Sequence, residues 1–439
     1  MPMPECMQTK RVKNRDWPRQ LSPGLFLCLM LATSGHSASA DDYGDARAEL
    51  FAAFQDANYP AMRIAARKAL AARPGYPGAL FNLALAQVLD DDPASSLQTL
   101  RDLQSVGVDF GVADIDEFAP LRDLLEWDDY ASAVQRLYEP IGFAEVVATL
   151  DADSFVPEGI AADSNGRFYL GSARHGALVR IGEAPETLST PRNGHWSVFG
   201  MRFNRDGGLW FASSAVPQFV DVGEDVGRSG LFRYDLDRNE ISDIALLPSS
   251  DEHRLLGDLV LAPAGVIYTT DSLTGILYRY DIRDGTFSTV VDRGLLGSPQ
   301  GLALDASGKY LYVADYIGGL YRVRLETGEL EKVEIEANVT DYGIDGLYRY
   351  GEELIAIQNG VQPHRVVALR LGDDGLSIIA GRILASNLEE FDEPTLGLVS
   401  GDDFYFVANS HWNRFDTDND LPPDLSGPII LRVPLRRNQ

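Results

Sequence analysis

The stretch SPQGLALDASGKYLYVADYIGGLYRVRLETGEL, from Ser298 to Leu330, decides the fold. It alternates short runs of apolar and β-branched residues with turns rich in Gly, Asp and Ser. This pattern is typical of antiparallel strands joined by hairpins. Three strands are predicted over residues 301–305, 310–314 and 320–325, and a fourth, more polar strand is predicted over residues 331–336, as expected for an outer edge.

The same pattern occurs in five other places along the chain. The other copies begin at Pro157, Phe199, Leu256, Ile344 and Thr395. When all six copies are aligned, equivalent positions are held by Glu158, Phe199, Gly257, Gln300, Asp345 and Thr395. A repeat of about 40 to 60 residues that contains four strands is the signature of a β-propeller. Six copies therefore predict a mainly β protein with a six-bladed propeller.

The two ends of the repeat region predict how the ring closes. The last copy ends with a single strand, Pro428–Leu435, and lacks a fourth strand. Phe143–Leu150, which precedes the first copy, has the composition of the other outer strands. The N-terminal strand is therefore predicted to complete blade six, which would hide the edges of the ring. The propeller domain is predicted to span residues 141–439.

Residues 41–140 follow a helical period. Helices are predicted over Ala46–Ala57, Ala61–Ala72, Ala79–Leu89 and Ala94–Val106. The segments that begin at Asn58 and Asp91 lie 33 residues apart, and this spacing resembles tetratricopeptide repeats. Two repeats bury too little surface to be stable alone. The α-helical module is therefore expected to dock on the propeller as a cap or to bind a protein partner.

Residues 1–40 have the features of a secretory signal peptide. A basic region from Lys10 to Arg19 precedes an apolar core from Leu21 to Ala32, and Ala38-Ser39-Ala40 is a small-residue cleavage site. The apolar core is too short to span a membrane. The protein is therefore predicted to be exported, either to the periplasm or out of the cell.

Removal of the signal peptide changes the composition of the chain. Both cysteines, Cys6 and Cys28, lie in this segment, so no disulfide is expected. The segment holds five basic and two acidic residues. The rest of the chain then has 33 basic and 63 acidic residues, and its net charge is −30 against −27 for the full chain. Such a charge repels nucleic acid and anionic lipid, so neither is an expected partner.

Propeller topology sorts the remaining residues by face. In each blade the first strand starts at the rim where the second strand ends. Residues before strand one and between strands two and three therefore gather at one mouth of the channel. All five histidines outside the signal peptide fall there: His175, His195, His253, His364 and His411. Histidine titrates near neutral pH and binds metals, which favours a functional site, although longer loops on this face would also collect polar residues.

The same mouth collects carboxylates and amides. Glu158, Gln300 and Asp345 hold the aligned position at which side chains point into the channel, and Asp258 lies one residue further on in blade three. Oxygen ligands that converge on an axis suit a hard cation such as calcium. Asp271, Asp315, Asn359 and Asn409 end second strands, where binding of turn backbone groups is the alternative role.

Blade six contains an unusual loop that begins at Asn409. Its residues His411, Trp412 and Arg414 favour a lid over a ligand, whereas Trp412 and Phe415 would equally fill space in a plug. The chain has no Gly-x-Ser-x-Gly, His-Glu-x-x-His, Walker or dinucleotide motif. The common hydrolase, protease and nucleotide-dependent mechanisms are therefore unsupported.

The repeats resemble the regucalcin and gluconolactonase family, which is often grouped with luciferin-regenerating-enzyme-like proteins. The stretches that carry the resemblance include PEGIAAD, PQGLALDASGKYLYVADYIGGLYRV and IDGLYRYGEELIAIQNG. The resemblance covers about Gly142 to Leu435 and excludes the helical module. Members of this family are six-bladed propellers with a divalent cation, usually calcium, at the channel mouth. Many hydrolyse lactones or related esters, so the resemblance implies such an activity here.

The resemblance also implies a set of metal ligands. Glu158 matches the first metal-binding glutamate of the family, and Asp345 matches the aspartate of the fifth blade. The two asparagines expected from the blades between are replaced by Gly257 and Gln300. Gln300 still offers an oxygen, and Asp258 is a neighbouring substitute. The implied site therefore keeps two of the four expected ligands.

These observations lead to a hypothesis of a metal-dependent hydrolase that acts on small, sugar-derived lactones or esters. Glu158, Asp345, Gln300 and Asp258 would hold the cation, and Glu158 with His175 or His411 would act in catalysis. The predicted substrate-binding residues are His195, His253, His364, Asn359, Asn409, Trp412 and Arg414. One alternative is a non-catalytic interaction platform, which the missing asparagines favour. Another is a zinc-dependent lyase or hydrolase that uses the histidines.

Overall fold

A computed structural model describes residues 42–436 except 153, 221 and 417. The predicted signal peptide and both cysteines lie outside the described residues. An α-helical region comes first in the chain, and a six-bladed β-propeller follows it. None of the described helices is long and apolar enough to cross a membrane. The predicted fold class is confirmed.

The helical region consists of two helical hairpins and a fifth helix. The helices are α1 (Asp42–Gln55), α2 (Tyr59–Ala72), α3 (Pro77–Leu89), α4 (Pro93–Ser105) and α5 (Trp127–Leu137), with 3-10 turns at Val112–Asp114 and Asp116–Asp123 between the last two. The side chains of Asn58 and Asp92 accept hydrogen bonds from backbone N–H groups at the starts of α2 and α4. The helical arrangement is confirmed, and its relationship to tetratricopeptide repeats stays a prediction.

The propeller contains 25 strands among the described residues. Blade one is formed by β2 (Pro157–Ala162), β3 (Phe168–Ser172), β4 (Leu178–Arg180) and β5 (Glu186–Ser189). Blade two is formed by β6 (Ser197–Phe203), β7 (Leu209–Ser214), β8 (Ser229–Asp235) and β9 (Glu240–Leu246). Blade three is formed by β10 (Leu256–Ala262), β11 (Val266–Asp271), β12 (Ile276–Asp281) and β13 (Thr286–Val291). Bulky side chains such as Trp210, Phe211 and Phe232 fill the space between these blades.

The other three blades include the closure of the ring. Blade four has β14 (Pro299–Leu304), β15 (Tyr310–Asp315), β16 (Gly319–Arg324) and β17 (Glu329–Lys332). Blade five has β19 (Ile344–Tyr350), β20 (Glu353–Gln358), β21 (Arg365–Leu371) and β22 (Ser377–Ser386). Blade six has β23 (Gly397–Ser400), β24 (Asp403–Val407) and β25 (Ile429–Pro434). The N-terminal strand β1 (Glu145–Thr149) pairs antiparallel with β25. The predicted closure of blade six is therefore confirmed.

The outer edge of blade four differs from the prediction. Its fourth strand ends at Lys332 and does not continue to residue 336. The following strand, β18 (Glu334–Ile335), instead pairs parallel with β22 at the outer edge of blade five. The predicted fourth strand thus spans two elements that belong to neighbouring blades. The added pairing covers an edge that would otherwise be free.

A bulge near the start of the inner strand recurs in the first five blades. In blade one the register shifts between Pro157 and Ile160, and the same shift lies between Leu256 and Leu259 in blade three. The first residue inside each bulge is the aligned position predicted from the repeats. A bulge changes the direction of its side chains relative to the regular strand. Glu158 and its equivalents are therefore directed toward the channel mouth.

The helical region packs on loops of blades four and five. Arg73 Nη1 donates a hydrogen bond to the carbonyl of Ile317 at 3.0 Å, and Arg365 Nη1 donates one to the carbonyl of Gly107 at 2.8 Å. Arg365 is buried, and burial lowers the pKa of its guanidinium to about 10. Ile317 and Arg365 follow second strands of their blades, so the helices dock at the end of the propeller where second strands end.

Candidate functional site

A cavity of about 230 Å³ lies at this end of the channel. Its lining combines carboxylates and amides with hydroxyl and aromatic groups. The lining residues are Glu158, Phe199, Leu255, Gly257, Asp258, Ser272, Gln300, Tyr316, Asp345, Asn359, Glu393, Leu396 and Trp412. The structure therefore brings together six of the residues predicted from the sequence: Glu158, Asp258, Gln300, Asp345, Asn359 and Trp412.

Two carboxylates in this cavity share one hydroxyl group. Thr395 Oγ1 lies in hydrogen-bond contact with Glu158 Oε2 and 2.8 Å from Asp345 Oδ2. Asn359 Nδ2 also donates to Asp345 Oδ2, at 2.8 Å. Trp412 Nε1 donates to Glu158 Oε1 at 2.6 Å. The pair is thus surrounded by neutral donors, and neither carboxylate forms an ion pair with a cationic side chain in the part of the chain that the structure describes.

Burial changes the proton affinity of both carboxylates. It raises the pKa of Glu158 well above the ordinary value, and the negative charge of Asp345 raises this pKa further. Burial also raises the pKa of Asp345 to about 6. The hydroxyl of Thr395 has a single hydrogen to donate. Because it contacts both carboxyl groups, one of the two must carry a proton when no cation neutralises the pair.

A third carboxylate, Glu393, lines the same cavity from the loop that precedes β23. Its Oε2 accepts a hydrogen bond from the backbone N–H of Asn413 at 2.6 Å. Burial raises the pKa of Glu393 to about 7, and the negative charges of Asp345 and Asp392 add to the effect. The cavity therefore holds three carboxyl groups whose pKa values are shifted toward or into the neutral range.

Asp258 is different because the fold supplies it with a counter-ion. Its carboxylate lies 3.4 Å from Arg202 Nη2, and the Arg202 guanidinium stacks over the ring of Tyr348 at 5.2 Å. Burial raises the pKa of Asp258, whereas the charge of Arg202 lowers it. In blade three, Asp258 occupies the second bulge position, which is glycine in blades one, two, four and five. Asp258 therefore serves a buried ion pair in addition to lining the cavity.

The amide groups of the cavity are held by short side-chain contacts. Gln300 Oε1 accepts from Ser272 Oγ at 3.1 Å, and its Nε2 donates to Ser298 Oγ at 3.2 Å. Asn359 Oδ1 accepts from the hydroxyl of Tyr316 at 3.1 Å. These contacts fix the direction of each amide, so that the cavity presents oriented amides as well as carboxylates.

The loop after β24 reaches over the cavity through one aromatic side chain. Trp412 lies in a 3-10 turn, Trp412–Arg414, and its ring is parallel to that of Phe199 at a centroid distance of 6.3 Å. Arg174 supports this loop by donating to the carbonyl of Asn419 at 2.8 Å and by lying over the ring of Phe415. Trp412 thus lines the cavity wall, whereas Phe415 packs against the loop and the first blades.

The remaining predicted residues of this loop do not line the cavity. Asn409 Nδ2 donates to the carbonyl of Gly427 at 2.9 Å, which ties together the two ends of the loop. Arg414 is half exposed and pairs with Asp392 at 2.8 Å. Their predicted roles in substrate binding stay predictions, and in this structure both residues stabilise the loop.

Two of the five histidines are buried in contacts between loops and strands. His195 Nε2 lies 2.8 Å from Ser189 Oγ, and burial lowers the pKa of His195. His411 Nδ1 lies 3.2 Å from Asp392 Oδ2, and its Nε2 lies 3.0 Å from a backbone carbonyl. Both ring nitrogens of each histidine therefore have polar neighbours within the protein.

The other three histidines lie in loops at the same end of the propeller. His175 and His253 are exposed, and His364 is partly buried, with Nε2 2.7 Å from Gln362 Nε2. Burial lowers the pKa of His364. None of the five described histidines lines the cavity. Histidines on the same face of the propeller need not lie near one cavity, because the loops of a propeller are spread around the ring. The roles predicted for these histidines stay predictions.

The donor set of the cavity is suited to a hard cation. Among the described residues, no three His, Cys, Asp or Glu side chains are arranged to hold a metal ion. A cation beside Glu158 and Asp345 would therefore depend on these two carboxylates and on amide oxygens. Oxygen donors of this kind suit calcium, whereas zinc favours nitrogen and sulfur. The excess negative charge of the pair is the feature that fits a cation.

The sequence did not reveal Glu393 or Tyr316. Glu393 lies two residues before Thr395, which holds the aligned position of blade six, and Tyr316 directly follows a second strand. Both therefore lie in segments that the predicted topology assigns to the channel mouth. An acidic residue two positions before the aligned site occurs only in blade six, and this signal was available from the sequence.

No family model matches the chain, and no curated protein matches it. Solved structures with a similar fold include the PQQ-bound aldose sugar dehydrogenase of Streptomyces coelicolor (14% identity, TM-score 0.48, 67% of this chain and 98% of that one). Another is a gluconolactonase of Xanthomonas campestris (14% identity, TM-score 0.43, 68% of this chain and 92% of that one). A third is a calcium-binding regucalcin of Agrobacterium tumefaciens (17% identity, TM-score 0.47, 66% of this chain and 96% of that one). These proteins differ in activity, and at such identities and TM-scores none assigns a function to this chain.

Proposed function

We propose that the protein is an exported hydrolase that acts on small, sugar-derived lactones or esters and uses a divalent cation at the channel mouth. One observation carries the proposal. The buried carboxylates of Glu158 and Asp345 share the hydroxyl of Thr395 at the edge of a small cavity, and no ion pair within the described chain neutralises them. Buried carboxylates whose pKa values are shifted by burial and by neighbouring charges are typical of functional sites.

The pair is suited to exchange a proton for a cation. Without a cation, one carboxyl group must keep a proton to satisfy its contact with the Thr395 hydroxyl. A divalent cation would neutralise both groups and release that proton. Gln300 would add an amide oxygen, whereas Asp258 is already paired with Arg202 and Asn359 turns its Nδ2 donor toward Asp345. This all-oxygen donor set favours calcium over zinc.

The cavity also limits the size and the polarity of the substrate. Its volume of about 230 Å³ is smaller than the pockets of about 300–1,000 Å³ that accept drug-sized ligands. Oriented amides and carboxyl groups suit a small molecule with several hydroxyl groups, and Phe199 and Trp412 offer apolar contact to its ring. A bound cation would supply polarisation of the substrate carbonyl. Glu158, Asp345 and Gln300 would hold the cation, and Asn359 would orient the substrate.

A second candidate function is favoured by a specific observation. Both oxygens of Glu158 and Oδ2 of Asp345 already accept hydrogen bonds from protein donors. Such a network is stable as it stands, provided that the pair keeps one proton. This arrangement would suit a non-catalytic protein that binds a small polar ligand without hydrolysing it.

Turnover of two lactones separates these functions. Purified protein is mixed with glucono-1,5-lactone or δ-valerolactone, and acid release is followed with a pH indicator before chelation, after chelation and after calcium is returned. We expect hydrolysis at least about 100-fold above background that chelation abolishes and calcium restores. Binding of these lactones without turnover would support the second function, and turnover that chelation leaves unchanged would contradict the role of the cation.

A matched pair of variants tests the residues. Glu158→Gln combined with Asp345→Asn is expected to abolish turnover, because amides do not neutralise a divalent cation. The control is Asp237→Asn combined with Glu240→Gln, which changes two exposed acids on the β8–β9 hairpin of blade two. This control is expected to keep the wild-type rate. Equal losses in both double variants would show that the effect comes from net charge and not from the site.

A further inference from the structure

We propose that Glu393 is the catalytic base of this site and accepts the proton of the water that attacks the substrate carbonyl. The inference rests on the proposed hydrolase function and assigns a role that the sequence analysis did not include. Four features of the described residues support it: a free carboxylate oxygen, a fixed backbone, an unusual residue type for its conformation, and an adjacent acid, Asp392, that already has partners.

The first feature is the availability of the carboxylate. Glu393 lines the cavity, and its Oε2 is bound by the backbone N–H of Asn413 at 2.6 Å. Its Oε1 has no hydrogen-bond donor among the described residues. In contrast, Thr395 and Trp412 occupy both oxygens of Glu158. A base needs an oxygen that can reach the water, and a second contact that holds its orientation. Glu393 meets both requirements.

The second feature is a rigid backbone on both sides of Glu393. The N–H of Asp392 donates to the carbonyl of Ala408 at 3.0 Å, and the N–H of Ser410 donates to the carbonyl of Glu393 at 3.0 Å. The chain around Glu393 is thus tied to the segment that follows β24. A base that is held on a fixed segment keeps its position relative to the substrate, which is a condition for efficient catalysis.

The third feature is the residue type. Glu393 has a φ of 63°, in the left-handed region that favours glycine. Blade five has Gly343 at the equivalent position, with a φ of 67°. In blade one the position is held by Val156, which is buried in the core between blades. The backbone conformation therefore recurs, and only in blade six does it direct a carboxylate to the cavity. A strained residue whose side chain is not part of the core points to a functional role.

The fourth feature is the charge distribution around Glu393. The adjacent Asp392 is paired with Arg414, and His411 Nδ1 also contacts it. The charge of Asp392 is therefore partly neutralised by these neighbours. Glu393 itself keeps only a neutral backbone donor. Its raised pKa, about 7, is in keeping with a group that takes up and returns a proton near neutral pH.

The proposed step balances in atoms and charge. The oxygen of water forms a bond to the carbonyl carbon of the lactone while one proton of that water moves to Glu393. The ring C–O bond then breaks, and the departing alkoxide takes the proton from the Glu393 carboxyl group. The sum is one lactone and one water converted to one hydroxy acid, with Glu393 returned to its starting state. No oxidant, reductant or further reactant is required.

The test compares Glu393→Gln with Glu389→Gln in the full chain, with glucono-1,5-lactone as substrate. Glutamine keeps the shape of the side chain and removes the base, whereas Glu389 is an exposed acid in the same loop. We expect kcat to fall at least about 100-fold in Glu393→Gln, with KM and calcium affinity within about threefold of wild type. Glu389→Gln is expected to keep the wild-type kcat and KM.

A second variant distinguishes loss of the base from misfolding of the protein. Glycine adopts the backbone conformation of residue 393 without strain, so Glu393→Gly is expected to keep the melting temperature within a few degrees while losing the same activity. Wild-type kcat in Glu393→Gln would overturn the role of Glu393 and leave the proposed hydrolase function intact. Absence of turnover in the wild-type protein would overturn both. A fall in kcat that is matched by a fall in calcium affinity would show a role in the cation site and overturn the assignment as base.

Discussion

Two groups of buried acids lie on the inner strands of this propeller, and the fold treats them in opposite ways. Asp258 faces Arg202 at 3.4 Å, so its charge is neutralised within the protein. Glu158 and Asp345 face neutral donors and each other. All three line one cavity, and burial raises the pKa of all three. The difference shows that the absence of a counter-ion, rather than burial, identifies the carboxylates that are available for a ligand.

The largest expected effect comes from removing the counter-ion of Asp258. Arg202→Met keeps much of the side-chain volume but leaves a buried carboxylate without its partner. Loss of one member of a buried pair costs about 3–5 kcal/mol of the free energy of unfolding. Urea denaturation at neutral pH is the measurement. In this variant Asp258 would lack a counter-ion, as Glu158 and Asp345 do. The measurement therefore tests whether the counter-ion accounts for the difference between Asp258 and the other two carboxylates.

Two controls sharpen this comparison. Arg228→Met removes one partner of an exposed pair with Asp225 and is expected to cost less than about 1 kcal/mol. Arg202→Met combined with Asp258→Leu removes the stranded charge and is expected to recover much of the lost stability. Equal costs for Arg202→Met and Arg228→Met would contradict the view that Asp258 depends on its counter-ion.

A smaller effect is expected in the dependence of stability on pH. The pKa values of Asp345, about 6, and Glu393, about 7, lie above their ordinary values of 3.8 and 4.5. At pH values between the ordinary and the raised pKa of each group, the folded state therefore binds more protons than the unfolded state. The free energy of unfolding falls as the pH rises through this range. We expect each of these two groups to contribute a loss on the order of 1–3 kcal/mol between pH 4.5 and 7.5 in chelated protein.

Denaturation of wild type and of a variant checks the origin of this slope. Glu158→Gln, Asp345→Asn and Glu393→Gln combined remove the three carboxyl groups and are expected to flatten the pH dependence. Asp258 remains ionisable in this variant, so the experiment separates the two groups of acids. An unchanged slope in the triple variant would show that carboxyl groups elsewhere produce it.

The sequence was sufficient to predict the parts of the site that depend on the repeat. Alignment of the six copies placed Glu158, Gln300 and Asp345 at one position, and the bulge in the inner strand of each of these three blades directs that position to the channel mouth. The closing strand followed from the missing fourth strand of the last copy. These features repeat along the chain, so that each copy supports the assignment made for the others.

Features that depend on contacts between blades were beyond sequence reasoning. Arg202 reaches Asp258 from the neighbouring blade, and the crossing of β18 to blade five depends on the packing of two edges. The histidines lie on the predicted face but their loops are spread around the ring, so that none reaches the cavity. The position of Glu393 could be read from the sequence, but the direction of its side chain depends on a left-handed backbone conformation that glutamate does not favour.

Calorimetric titration of calcium into the chelated protein at pH 7.5, in two buffers with different enthalpies of protonation, tests the central claim most directly. The account predicts one calcium per chain, release of up to one proton on binding, and loss of binding when Glu158→Gln and Asp345→Asn are combined. The exposed pair Asp237→Asn and Glu240→Gln should bind calcium as the wild type does. Absence of calcium binding, or binding that the site variant leaves unchanged, would contradict the claim that this uncompensated pair is a cation site.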